Sequence, residues 1–268
     1  MVLERLAGAC CAILLMTGSV FSWAAADARL TVRELYDCAI HQHEMLTAYH
    51  LYASDPKDRT LNADFQAARQ LSTSCAVRAG DALAAAGLSA QAAEVRSLKD
   101  SLAQNAQYNS DSIAKSGVPE NAVLAEMVMH ELKLVSTLTQ SAKDLQVSAK
   151  LKEVAEARQA RELAILIMYA DARYVERTTE VYHRDDSAEP TIDQLGMNFY
   201  SGLSKLRASK RLTAEQKKML DNVNTRYRFI NGSLNNYTQD AVPFTVNRHA
   251  RSMVTLLNQV ANGLDGIK

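Results

Sequence analysis

Turn-forming residues are scarce in this chain: ten glycines and four prolines serve 268 positions. A long all-β domain needs many more reversals than that, so the class is disfavoured from the start. Charge of one sign is missing too. Thirty Lys and Arg balance thirty Asp and Glu, which removes the electrostatic reason to expect nucleic acid or an anionic membrane surface as a main partner. Beyond the first two dozen residues no run of about 18 apolar residues occurs, so no membrane span is expected in the mature chain. Marked catalytic motifs are lacking as well. There is no Gly-x-Ser-x-Gly elbow, phosphate-binding glycine loop, His-Glu-x-x-His or Cys-x-x-Cys-His. The best-signposted hydrolase, nucleotide, zinc and haem chemistries lose their support. Neither an enzyme nor a resident cofactor or metal is expected.

What the chain does have is helix-forming material. Hydrophobic residues make up 47%, and the body is rich in Ala, Leu, Gln and charged side chains. Turn signals fall at Asp55-Pro56, Gly87, Gly117-Val118-Pro119, residues 185–190, residues 210–213 and Val242-Pro243. Between them apolar residues recur at helical spacing, as in Leu61, Phe65, Ala68, Ser72, Cys75, Ala79 or Leu163, Ile167, Ala170, Tyr174. The expected fold is all-α, with eight helices in two tandem up-down four-helix bundles.

Residues 1–26 read as a secretory signal. Arg5 precedes an apolar stretch at 6–20, and Ala24-Ala25-Ala26 supplies small residues for cleavage. An uncleaved anchor stays open because Glu4 sits in the basic region. Units follow at 27–147 and 148–268, in a periplasmic or secreted protein. Cleavage leaves Cys38 and Cys75, which lie equidistant from the turn Asp55-Pro56-Lys57-Asp58. Such positions face each other in an antiparallel helical hairpin, so a disulfide is expected. The competing reading is a pair of buried thiols.

An internal repeat also emerges. Leu88-Ser89 and Val118-Pro119 recur as Leu212-Thr213 and Val242-Pro243, each shifted by 124 residues, with Met129 matching Met253 and Leu132 matching Leu256. The first hairpin departs from it, its turn moving by about 131 residues and its cysteine pair having no counterpart, and coincidental helix spacing is the competing reading. Ser89 and Thr213 are expected N-caps, and Pro119 and Pro243 are expected in first turns. From Glu120 to Glu189 there is neither glycine nor proline. Unit one therefore either runs straight into unit two, stacking the bundles end to end, or breaks near 141–150.

Candidate chemistry is thin. His41, His43 and His50 share the first helix, but His43 and His50 stand about 10 Å apart along its axis, too far for one metal; solvated or capping histidines are expected. Glu180-Val-Tyr-His183 is a single Glu-x-x-His pair where a di-iron bundle needs two. Met127-Val-Met129-His130 reads as core packing, and Asp185-Asp186 as solvated turn carboxylates. Arg158, Gln159 and Arg161 form the candidate ligand site, since arginines where two bundles meet can clamp a small anion. Tyr169, Tyr174, Tyr227 and Tyr237 either line a pocket or fill the core.

The helix order and lengths over residues 30–265 resemble the N-terminal sensor region of type IV pilus methyl-accepting chemotaxis transducers, most closely at 45–53 and 244–260. That family is similar to nitrate- and nitrite-sensing bundles and carries an Ala-Gly-Arg-Gln-Arg-Met-Leu type segment on its first helix. At that place unit one has Leu35-Tyr36-Asp37-Cys38-Ala39-Ile40-His41, without those arginines, and unit two has Ala157-Arg158-Gln159-Ala160-Arg161, one residue out of step. The resemblance implies paired helical sensing modules. The expected role is binding a small molecule or an envelope protein in a sensor-like accessory capacity, with a homodimer open. The competing role is a structural or interaction protein of the envelope, and behind it a metal- or haem-binding bundle.

Overall fold

The computed structural model describes residues 4–152, 154–179, 189–237, 239 and 241–266, with side chains from Asp27 onward. Most of the signal reading, the Glu180–His183 pair and Asp185-Asp186 therefore fall outside the described side chains. The described residues form eight α-helices and no strand: α1 (Glu4–Ser54), α2 (Arg59–Ala85), α3 (Ser89–Ser116), α4 (Asn121–Ser148), α5 (Ala155–Thr178), α6 (Ile192–Arg207), α7 (Ala214–Asn235) and α8 (Pro243–Asp265). No helix among them is long and apolar enough to cross a membrane.

Local chemistry sets the helix ends. Asp58 caps α2 by accepting from the backbone N–H groups of Thr60 and Leu61 at 2.7 and 3.3 Å. Thr213 and Gln216 form a reciprocal capping box on α7, and Thr191 with Gln194 does the same for α6. Gly117 ends α3 at φ 80°, the left-handed conformation that costs glycine nothing. Two expected ends differ. Ser89 is the first helical residue of α3 rather than its cap, which is Leu88 with no side-chain bond. Pro119 lies outside α4, whose start is served by Asn109 accepting from the Glu120 N–H at 3.0 Å. Pro243 does occupy the first turn of α8.

The helices pack as two rings: α1 to α4 close one, α5 to α8 close the other, and α1 against α5 joins them. Of the two junctions open in the sequence, the break is the one found. Lys150 takes φ 51°, and residues 149–154 separate α4 from α5. The bundles consequently lie side by side, sharing one continuous apolar core.

The joint has a definite register. Arg161 lies over the Tyr36 ring at 6.0 Å, Tyr169 stacks on His43 at 5.2 Å, and Asp171 meets Thr47 at 3.5 Å. Each α5 partner stands 124 to 126 residues after its α1 partner. Both series ascend together, so α1 and α5 run parallel. The repeat seen in the sequence thus meets itself across the joint, as two copies of one bundle would around a twofold axis. The equivalence is not uniform: Met253 is buried, whereas its counterpart Met129 is 61% exposed.

In the first hairpin Cys38 and Cys75 face each other with their sulfurs at disulfide-bonding distance and their Cα atoms 5.5 Å apart. Gln42, which interrupts the apolar stripe, is satisfied beside them. It accepts from the Ser72 hydroxyl at 2.5 Å and donates to the Ser72 carbonyl at 3.3 Å. Closing this loop should stabilise the first bundle by roughly 3–4 kcal/mol. Thermal melts of the full chain with and without reductant should separate accordingly; coincident melts would mean that no bridge forms in solution.

Candidate functional site

Polar chemistry concentrates where the bundles meet. Solvated histidines were expected on α1, but only His41 is partly exposed, pairing with Glu44 at 2.8 Å. His43 and His50 are 2% and 0% exposed, which corrects that expectation. The reason is the fifth helix. A bundle covers one stripe of α1, and α5 covers the side that would otherwise face water.

His43 Nδ1 lies 2.5 Å from Glu131 Oε1, and both side chains are buried. Glu131 projects from α4 on the same face as Met127, Leu134 and Leu138. On its other side His43 stacks on Tyr169, whose hydroxyl donates to Glu189 Oε2 at 2.5 Å. Arg173 donates to the same carboxylate oxygen at 2.7 Å. Burial and the Glu189 carboxylate push the Tyr169 hydroxyl up to about 12. An alternating train of acid, imidazole, phenol, acid and guanidinium thus crosses from the core of one bundle to the edge of the other.

Asp171 is the second buried carboxylate of the seam. Its Oδ2 accepts from Asn247 of α8 at 2.6 Å and from Thr47 of α1 at 3.5 Å. Its Oδ1 has no hydrogen-bond partner among the described residues. Burial raises the carboxyl to about 7, outweighing the lowering effect of those two hydrogen bonds.

Above Asp171 runs a groove. Helix α5 packs on both α1 and α8, forming the floor, with α1 and α8 as walls. Three polar bridges cross it. Asn258 donates to Asp37 Oδ1 at 3.1 Å, Arg251 lies 3.5 Å from Glu44, and Asn247 and Thr47 converge on Asp171. From Asp37 to Glu44 is seven residues forward, and from Asn258 to Arg251 seven back, so the walls are antiparallel in heptad register. Between the bridges lie two cavities of about 200 and 410 Å³, with Glu44 and Arg251 lining both.

Of the three residues expected to clamp a ligand, Arg161 and Gln159 tie helices together. Arg161 is 2% exposed, pairs with Asp265 at 2.6 Å and donates to Asn262 Oδ1 at 3.4 Å, holding the end of α8 to α5. Gln159 donates to the Gly202 carbonyl of α6 at 2.9 Å. Arg158 is half-buried near the start of α5. Arg161 and Gln159 thus reach towards different helices. Tyr174 and Tyr227 are core residues whose hydroxyls meet backbone, Tyr174 accepting from the Val242 N–H at 3.1 Å and Tyr227 donating to the Gly196 carbonyl at 2.8 Å. Met127 is fully buried, as its packing role requires. Among the described residues no three His, Cys, Asp or Glu side chains are grouped to hold a metal ion. Glu131 and Asp171 were missed in the sequence, although both fall among residues spaced as core.

Two expectations follow. Below about pH 4 folded and unfolded chains both hold the Asp171 proton, but between there and about 7 only the folded chain does. Stability from this group is therefore present at low pH and lost as pH rises towards 7, by up to about 4 kcal/mol. Asp171→Asn should remove that slope, and denaturant titrations of both proteins at acidic and alkaline pH check it; parallel profiles would show that Asp171 titrates normally. Glu131→Ala should cost roughly 3–5 kcal/mol, whereas Glu131→Leu combined with His43→Phe should recover most of the loss. Additive losses in that double variant would mean the pair is not coupled.

Comparison with known proteins returns nothing for this arrangement: no family model, no curated protein and no solved structure matches the chain.

Proposed function

We propose that this protein is an exported, non-enzymatic binding module that takes a small ligand in the groove between its bundles and acts as a sensor-like accessory. The observation that carries the reading is the groove itself. Its walls belong to different bundles, and polar bridges tie them across the open side. A molecule seated there contacts both bundles and favours whichever spacing of α1 and α8 suits it, which is what a ligand-driven response requires. The resemblance to the paired helical modules of pilus chemotaxis transducers agrees with such a role. The apolar N-terminal segment and the cysteine pair support a periplasmic or secreted location with cleavage near Ala26. A second reading, an envelope interaction protein, draws support from exposed Met197, Tyr200, Phe229 and Phe244 on the second bundle.

A thermal-shift panel of small anions, amines and metabolites on the mature protein tests the first reading. A ligand present at about a hundred times its Kd should add close to 2.7 kcal/mol of stability. That shift should vanish in Ala67→Trp, which places a large ring at the exposed rim of the smaller cavity. Stabilisation by nothing in the panel, together with co-purification of a stable envelope protein, would favour the second reading instead.

A further inference from the structure

The smaller cavity has an uneven chemistry that narrows its occupant. Its lining includes the hydrocarbon of Leu51, Leu61, Ala68 and Leu71. Its polar residues are Asp64 on the α2 stripe between Leu61 and Ala68, Glu44 and Arg251, with Thr47 and Asn247 held on the buried Asp171. Glu44 is already engaged by His41 at 2.8 Å and by Arg251 at 3.5 Å. Asp64 has no ion pair or hydrogen bond from its carboxylate among the described residues. Arg251 is 63% exposed and among the described residues has only that long contact, so most of its guanidinium donors are open to a ligand.

An anion alone would meet Asp64 and Glu44, and a cation alone would meet Arg251. A molecule bearing an ammonium and a carboxylate on one carbon satisfies both. At about 200 Å³ the space is below the pockets that hold drug-sized ligands, which start near 300 Å³. We propose that this cavity binds a free α-amino acid with an aliphatic side chain. Its ammonium faces Asp64, its carboxylate takes the Arg251 guanidinium, and its side chain lies on Leu61 and Leu71. The proposal rests on the groove being a ligand site and specifies what that ligand is.

Calorimetric titration of the full chain with L-leucine, isoamylamine and 4-methylvalerate tests it. L-leucine should bind saturably, with each singly charged analogue at least tenfold weaker. Arg251→Ala and Asp64→Ala, both changes at exposed side chains, should each weaken L-leucine at least tenfold, with Arg251→Lys falling between. Equal binding of isoamylamine would overturn the proposal, as would L-leucine affinity unmoved by Arg251→Ala. Silence of L-leucine at millimolar concentration, while another compound stabilises the wild type and not Ala67→Trp, would remove the amino-acid assignment and leave the groove reading standing. Silence of every compound would remove both.

Discussion

The contact between α1 and α5 is the constraint on which the remaining features depend. A helix in an ordinary four-helix bundle buries one stripe and offers the rest to water. Here α1 packs on α2, α4 and α5 together, so between Val32 and Ala53 the residues are buried except along one stripe, Arg33, Glu34, Asp37, His41, Glu44 and Ala48, most of which lines the groove. Every polar group on that stretch must then find a partner or carry the cost of lost hydration. Gln42 finds Ser72, His43 finds Glu131, and Thr47 finds Asp171. The buried ionisable seam is thus a consequence of giving one polar-studded helix three neighbours.

Features set by local chemistry were legible in the sequence. Turn residues marked the helix ends, the cysteine pair followed from its symmetry about Asp55-Pro56-Lys57-Asp58, and the Thr213–Gln216 capping box stood in plain view. Lateral arrangement was not legible. The stripe reading allowed α1 one buried face, so His43 and His50 were taken as solvated or capping when both are buried, His43 against Tyr169 of α5. The 124-residue offset was visible as repetition, yet nothing in one dimension says that repeated elements pack against each other. Glu131 and Asp171 sit at core spacing among Met127, Leu134, Ile167 and Tyr174. Their acidity hid them, because an apolar search skips charged residues at the very positions where charge is most informative.

Inside each bundle the packing is predominantly apolar, with Leu35, Phe65, Leu124 and Leu138 in the first and Phe199, Leu203, Leu220 and Ile230 in the second. Such interiors are close-packed and resist deformation. Across the groove the ties are a charged pair at 3.5 Å, an amide–carboxylate bond and two donors on one carboxylate. Polar ties of this kind contribute about 0.5–1.5 kcal/mol each, and less where water reaches them. The open side of the joint is therefore softer than either bundle. Motion between the bundles, if driven by a ligand, would be concentrated at α1 and α8.

The Cys38–Cys75 pair adds a directional element to that softness. It fixes α1 to α2 at the level of the Asp37–Asn258 bridge, beside the buried Gln42–Ser72 contact. Helix α2 also contributes Leu61, Asp64 and Leu71 to the smaller cavity. A ligand drawing Arg251 of α8 towards α2 would consequently pull on α1 and α2 as one body. The displacement would fall on the α1–α5 register, where His43 rests on Tyr169 and Thr47 on Asp171. A coupling of 1–3 kcal/mol is the usual size of such linkage. The seam holds interactions of that magnitude in a carboxyl group that burial raises to about 7, so a shift in register and a change in protonation would act on the same atoms.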